Sequence, residues 1–307
     1  MKLHINTPLI ESLSVGKGLN GKVWLKLENC QPCGSFKARG VGYACHQHVI
    51  NGAKKLVTSS GGNAGLAVAY AGRVLNIPVT VVVPTTTKIS AINLIKEQGA
   101  EVVIKGDAWD EAHQYGLQLT EKDGGYIHPF DDPLLWEGHS TLIDEVIETG
   151  IKPDAVVLSV GGGGLLSGIV KGLRKNKLFD VPVIAVETDG ASSLAASMNA
   201  GKLVSVSQIM SVASSLGAKK VSQHAFELTN THPIYSHIVT DKQAIKACSQ
   251  FLNEHRYLVE PACGASLAAV YDSRVILKEK SNILIVVCGG VGINTEQLKE
   301  WSRSLGV

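Results

Sequence analysis

Aromatic residues are scarce in this chain, at 5% of 307 residues, and neither sign of charge dominates: 29 Lys and Arg face 27 Asp and Glu, for a formal net charge of +2. So balanced a composition gives no electrostatic footing for nucleic acid or an anionic membrane. No apolar run approaches the roughly 20 residues that span a bilayer. The opening Met1-Lys2-Leu3-His4-Ile5-Asn6-Thr7-Pro8 lacks the apolar core of a signal peptide, so a cytoplasmic location is the default expectation. Cysteine is too thin for a disulfide scaffold, with six residues scattered at 30, 33, 45, 248, 263 and 288. Cys30-Gln31-Pro32-Cys33 spells a C-x-x-C that a redox pair could use; a zinc site needs a second pair or two spaced histidines, and neither is there. His46 and His48, two apart on an expected helix, face different ways and make a poor metal pair. No internal repeat or low-complexity segment is visible.

What the chain does have is alternation. Short β-branched runs recur at 23–27, 55–58, 79–83, 101–104, 155–160, 182–186 and 283–287. Stretches with helical spacing lie between most of them, at 66–75, 90–98, 108–121, 141–149, 241–255 and 265–270. Near-continuous apolar strands alternating with helices predict parallel sheets covered on both faces, an α/β fold. The runs from Lys55 to Ile104 form one block; the runs at 155–160, 182–186 and 283–287 form another, with the turn-rich Phe130-Asp131-Asp132-Pro133 between the blocks. Two lobes with a cleft are expected, the usual small-molecule site of open α/β sheets.

Four junctions carry possible chemistry. Gly161-Gly162-Gly163-Gly164 follows the apolar run ending at Val160 and precedes Leu165-Leu166-Ser167-Gly168. Glycine loses the most backbone freedom on folding, so four in a row imply a need for bare backbone, and bare N–H groups at a helix start suit a phosphate. The run also fits a loose dinucleotide fingerprint, with Glu187 about where a ribose-binding acid would stand. Ser59-Ser60-Gly61-Gly62-Asn63-Ala64-Gly65 is a second strand–loop–helix junction, fit for a carboxylate or simply for capping a helix. In Gly34-Ser35-Phe36-Lys37, Ser35 reads as an N-cap, which puts Lys37 in the first helical turn, where its charge opposes the macrodipole by roughly 0.3–1 kcal/mol. Such a lysine is either a solvated stem or one held as an imine with an aldehyde. Cys288, ending the last core strand, is either a small buried hydrophobe or a contact to a bound ring.

Taken together, these junctions resemble the pyridoxal-phosphate enzymes of fold type II, and most closely the short L-serine/L-threonine dehydratases. The resemblance covers essentially the whole chain. It rests on Gln31-Pro32 with Gly34-Ser35-Phe36-Lys37, on Phe130 to His139, on Leu158-Ser159-Val160 with the four glycines, and on Val259-Glu260-Pro261-Ala262-Cys263-Gly264-Ala265. It implies a two-lobed fold like the tryptophan synthase β chain, with residues 1–32 and 134–307 as the large cofactor-binding domain and 33–133 as the small one. By the same resemblance Lys37 forms the imine with pyridoxal 5'-phosphate and later serves as base and acid, and Phe36 packs beside the ring. Asn63 donates to the phenolic oxygen, Gly161, Gly162, Gly163, Gly164 and Leu165 bind the phosphate, and Cys288 meets the pyridine nitrogen. Ser60, Gly61, Gly62, Asn63 and Ala64 bind the substrate carboxylate. Gly161, Glu187, Ala191, Ser193, Leu216 and Ala218 are implied as a monovalent cation site for K+, and a homodimer is the implied assembly.

The implied reaction is β-elimination from L-serine, and from L-threonine, to pyruvate or 2-oxobutanoate and ammonia. Related racemases carry a serine where this chain has Gly61, and glycine cannot act as an acid on the opposite ring face. The longer threonine dehydratases carry a C-terminal regulatory domain; with this chain ending near Leu305, feedback control by amino acids is not expected. Three alternatives stay open at this point: a β-replacement synthase of the cysteine synthase type, whose loop more usually reads Thr-Ser-Gly-Asn-Thr; an NAD-binding dehydrogenase or nucleotide-binding protein using the glycine run; and a redox protein built on Cys30 and Cys33.

Overall fold

The structure is a computed structural model that describes residues 1–120, 123–272 and 277–307. In chain order the strands are β1 (Leu9–Glu11), β2 (Lys22–Leu27), β3 (Lys55–Thr58), β4 (Val79–Val83), β5 (Glu101–Ile104), β6 (Gly124–Tyr126), β7 (Ala155–Ser159), β8 (Val183–Thr188), β9 (Ile234–Val239) and β10 (Asn282–Val287). The helices are α1 (Lys37–Ile50), α2 (Asn63–Leu75), α3 (Ile89–Glu97), α4 (Trp109–Gln118), α5 (Pro133–Glu148), α6 (Gly164–Lys175), α7 (Ser193–Ala200), α8 (Gln223–Leu228), α9 (Asp241–His255), α10 (Pro261–Asp272) and α11 (Thr295–Leu305).

The chain divides into two compact units, Met1–Ile5 with Gln31–His139 and Asn6–Cys30 with Ser140–Val307. Three short pieces, 1–5, 31–32 and 134–139, thus lie in the first unit rather than with the larger one. Local contacts explain this. The Gln31 side chain pairs with both backbone groups of Ile5, at 3.0 Å each, and the Tyr70 hydroxyl donates to Leu3 O. His139 accepts from the Gly40 N–H.

The first unit holds a parallel sheet in the order β5-β4-β3-β6. Moving along the chain, β3, β4 and β5 are laid down in one direction, and β6 then returns to the far side of β3. That reversal opens a crevice at the carboxyl ends of β3 and β6, where ligands bind in open α/β sheets. The second unit repeats the device. Its sheet runs β1-β2-β10-β7-β8-β9, parallel except for the edge strand β1. β7, β8 and β9 build outward, and β10 returns to the other side of β7. The reversal falls between β7 and β10, whose carboxyl ends lead into Gly161 and Cys288.

The expected α/β class holds, and so do the seven apolar strands. Strands β1, β6 and β9 have no such signal: β6 is Gly-Gly-Tyr, and β9 is a half-exposed edge. Helix α5 begins at Pro133, eight residues before the expected start at Thr141, because proline is well placed in a first helical turn. Helix α4 ends at Gln118; the expected end at Glu121 lies outside the described residues.

One buried ion pair sets β2 in the second unit. Lys26 Nζ donates to Glu145 Oε2 and to Thr7 O, both at 2.7 Å, and Lys26 is only 2% exposed. Lys26 is in register with Val286, two residues before Cys288. Removing one partner of such a pair strands the other charge without solvent. Lys26→Met is expected to lower stability by about 3–5 kcal/mol in urea unfolding followed by circular dichroism.

Candidate active site

In the first unit, Lys37 is the first residue of α1, and the cap is Phe36 rather than the expected Ser35. The Ser35 backbone carbonyl takes the Ala38 N–H at 3.2 Å, while its hydroxyl is buried with no partner among the described residues. No side chain caps this helix. His139 stands in for one: its Nδ1 accepts from the Gly40 N–H at 3.2 Å and its ring lies 4.9 Å from that of Phe36. The Lys37 amine sits 5.1 Å from the Phe36 ring centre and donates to the Pro129 carbonyl, just past the carboxyl end of β6.

The loop after β3 lies at the same crevice. Ser60 Oγ accepts from the Gly62 N–H at 3.3 Å, and Asn63 and Ala64 open α2 behind the cap Gly62. A Cβ on Gly61 would stand 2.5 Å from Thr87 Cγ2 and 3.2 Å from Val83 Cγ1, so the space under this loop is already filled. His128, on the β6 side, accepts N–H bonds from Phe130 at 3.2 Å and Asp131 at 2.8 Å through Nδ1. Burial, helped by His113 and the Lys37 charge, lowers its pKa to about 4.

In the second unit, β7 runs into Gly161–Gly164 and then α6. Gly163 has φ +93°, a backbone that L side chains rarely adopt, and a Cβ on it would meet Ala225 Cβ at 2.4 Å. The turn's carbonyls are tied back: Gly162 O accepts from Ser222 N and Gly163 O from Ser167 N. The N–H groups from Gly162 to Leu165 have no backbone acceptor among the described residues. Unpaired donors at a helix start with a glycine-shaped entry fit a phosphate.

Cys288, 7% exposed, follows directly on β10. Its hydrogen bond with the Cys263 thiol and its burial push its pKa well above the ordinary thiol range, so it stays a neutral thiol. Glu260 braces the loop beyond it, accepting from the Gly292 N–H and the Ser215 hydroxyl at 2.6 Å each.

The expected cation residues lie in this unit. Gly161 packs on Leu216, a Cβ there standing 3.0 Å from Leu216 Cα. The Ala218 N–H bonds to Leu216 O and the Ala191 N–H to Thr188 O. Ser193 O accepts from the Ser197 hydroxyl. Glu187, fully buried, accepts the N–H groups of Leu194 and Ala195 at 2.8 Å each, and burial raises its pKa to about 7. With both oxygens on the start of α7, Glu187 is not placed as a ribose-binding acid, and the dinucleotide reading loses its second half. The redox reading fares no better: burial pushes the Cys33 thiol up to about 11, away from a reactive thiolate. No cluster of three His, Cys, Asp or Glu suited to a metal exists among the described residues.

A family model described as pyridoxal-phosphate dependent enzyme matches residues 1–289. The chain belongs to the pyridoxal-phosphate dependent enzymes. It is 45% identical to a mouse protein named L-serine dehydratase/L-threonine deaminase, over 99% of this chain and 97% of that protein. A fungal L-serine ammonia-lyase from Rhizomucor miehei superposes with a TM-score of 0.93 at 36% identity, over 99% of this chain and all of that one. Threonine deaminase isoform 2 from Solanum lycopersicum superposes with a TM-score of 0.88 at 28% identity, over all of this chain and 90% of that one.

The sequence named Lys37, the Ser60–Ala64 loop, the glycine turn and Cys288. It missed Thr87, His128 and any role for Glu260. The Val-Glu-Pro stretch carries no local sign of what the carboxylate touches; Thr87 matters through Gly61, far away in the chain, and nothing in the local sequence marks His128 as the acceptor of the Phe130 and Asp131 N–H groups.

Two outcomes follow for this family member. Gly61→Ala is expected to lower kcat/KM about 10-fold, and Thr87→Ala, which removes the clashing methyl, to recover most of that loss; steady-state kinetics of the two single variants and the double variant measure the coupling. His128 has a folded pKa below its unfolded value, so the stability it confers is full above about 6.5 and is lost as pH falls toward 4. His128→Asn should flatten the fall in thermal midpoint between those pH values.

Proposed function

We propose that this chain is an ammonia-lyase that removes water from L-serine, and from L-threonine, to give the 2-oxo acid and ammonia. The observation that carries this reading is the placement of a single amine. Lys37 Nζ lies on the Pro129 carbonyl at the crevice that also holds the Ser60–Ala64 loop. The names of the relatives agree, being L-serine dehydratase/L-threonine deaminase and L-serine ammonia-lyase.

Pyridoxal phosphate, when bound, supplies an aldehyde for the substrate amine and a ring that draws electrons from Cα. The residues present fit it. Lys37 would hold the aldehyde, Asn63 the phenolic oxygen, and Gly161–Gly164 with Leu165 the phosphate through backbone N–H groups. Phe36 would flank the ring, and the Cys288 thiol would meet the pyridine nitrogen without charging it. The Ser60–Ala64 loop would orient the substrate carboxylate. Lys37 Nζ would take the α-proton and, as an ammonium, return a proton to the departing β-hydroxyl, which leaves as water. Gly61 offers no acid at Cα, so nothing on that side returns a proton there, and elimination is favoured over racemisation.

The same proposal includes a monovalent cation near Glu187, supported by the burial of that carboxylate beside the start of α7. It also includes a homodimer and a cytoplasmic location. No helix among the described residues is long and apolar enough to cross a membrane.

Borohydride treatment of the purified, coloured protein should fix the cofactor to Lys37 alone by peptide mapping. The untreated protein should form 2-oxo acid from L-serine, and Lys37→Ala should abolish both. A colourless protein that gains no label and no activity when supplied with the cofactor would sink the proposal.

A further inference from the structure

The first unit also carries a chain of side chains with no part in the reaction above. Ser59, fully buried, is the root of the Ser60–Ala64 loop. Its hydroxyl lies 2.6 Å from the Tyr126 hydroxyl on β6, and the Tyr126 hydroxyl lies 2.6 Å from His113 Nδ1 on α4. Trp109, one helical turn earlier, stacks on the His113 ring at 4.8 Å and 10°, fixing its plane. The neighbouring residue repeats the tie: the Thr58 hydroxyl donates to Ile127 O at 2.8 Å. We infer that His113 and Tyr126 are positioning residues that hold the substrate-carboxylate loop in its binding geometry through Ser59.

The inference rests on the proposed function for the loop's role, and on geometry for the rest. The Tyr126 hydroxyl has one hydrogen and two partners, so it donates to at most one of them and accepts from the other. Burial keeps His113 toward its neutral form. A neutral imidazole presents Nδ1 either as donor or as acceptor, and that choice sets the direction of the whole chain, ending at Ser59. With Ser59 shut off from solvent, no water substitutes for the missing partner if Tyr126 loses its hydroxyl. The packing is built for this link. The Tyr126 ring rests on the buried Val57, Val82 and Ala112. Gly116 leaves room over it: a Cβ there would press on Tyr126 Cε2 at 3.2 Å and reach Ser59 Cβ at 3.9 Å. A tyrosine kept only for bulk needs no such hydroxyl partners on both sides. The chain meets the loop at its root, Ser59, so its effect falls on substrate binding rather than on proton transfer.

The test compares Tyr126→Phe, His113→Leu and the double variant with the wild-type holoenzyme. Each single variant should raise KM for L-serine about 10-fold with kcat within about twofold, the size of one hydrogen bond to a charged partner. The dissociation constant of L-alanine, which lacks a leaving group, should rise by the same factor when read from the visible spectrum. Bound cofactor per chain and the thermal midpoint should stay near wild type. Because the two residues act in series, the double variant should be no worse than the weaker single, and His113→Gln, whose amide oxygen can still accept from Tyr126, should recover most of the affinity. An unchanged KM in both Tyr126→Phe and His113→Leu, or additive losses in the double variant, overturns the inference, as does a fall in kcat at constant KM. Wild-type protein that fails to turn over L-serine sinks the functional reading itself; wild-type protein that succeeds while both single variants match it sinks only this inference.

Discussion

Everything chemical in this chain depends on where two parallel sheets change direction. A parallel strand ends in a row of carbonyls facing a helix start, and where the strand order reverses the two flanking helices leave to opposite faces and expose that end. The first unit reverses between β3 and β6, and the second between β7 and β10. The serine–asparagine loop leaves β3, the Pro129 carbonyl that holds Lys37 follows β6, the four glycines leave β7, and Cys288 leaves β10. No separate binding domain is required, because the backbone topology already opens these ends and the sequence has only to furnish them.

The furnishing follows from the charge that each reversal must receive. At the glycine turn the useful groups are N–H donors, so side chains are absent and the carbonyls are drawn away into bonds with Ser222 and Ser167. At α1 the useful group is an amine, and the helix start opposes it electrostatically. The Pro129 carbonyl and the Phe36 ring, both electron-rich, compensate on the spot. His139 then takes over the capping that Ser35 was expected to perform, because it bonds to Gly40 without placing another group in the way of Lys37.

How much of this could be read in advance depended on range in sequence. Apolar strands such as Val79–Val83 announce themselves within a few residues, and so do the glycine run and the loop at Ser59–Gly65. Strand β6 does not, since Gly124-Gly125-Tyr126 has neither alternation nor an apolar run, and it exists because β3 offers it an edge. Yet β6 is what creates the first reversal, so the site was legible as a set of motifs while its scaffold was not. Lys37 was ambiguous alone and gained meaning only beside the other three junctions. Thr87 acts through its contact with Gly61, 26 residues away, and no local pattern marks it; His113 and His128 gain their surroundings only when β6 and α4 pack together.

Cys288 shows how such contacts restrict the chemistry. A residue that meets a pyridine nitrogen can be a neutral thiol or a charged carboxylate such as an aspartate, and the two set the charge on that nitrogen differently. The surroundings narrow that choice. The thiol is hydrogen-bonded to Cys263 in a site closed to water, with the Glu260 charge close enough to hold it protonated. Both Glu260 oxygens are engaged, by Ser215 and by Gly292. A carboxylate at 288 would add a second acid to that enclosure, and two carboxylates sharing a buried site cannot both stay ionised. One would take a proton, either losing the charge that an aspartate was meant to bring or loosening the Glu260 bonds to Ser215 and Gly292. A neutral thiol avoids both outcomes, and with Cys288 placed at the ring nitrogen as proposed, the packing around Glu260 would keep that nitrogen uncharged as much as the identity of residue 288 would.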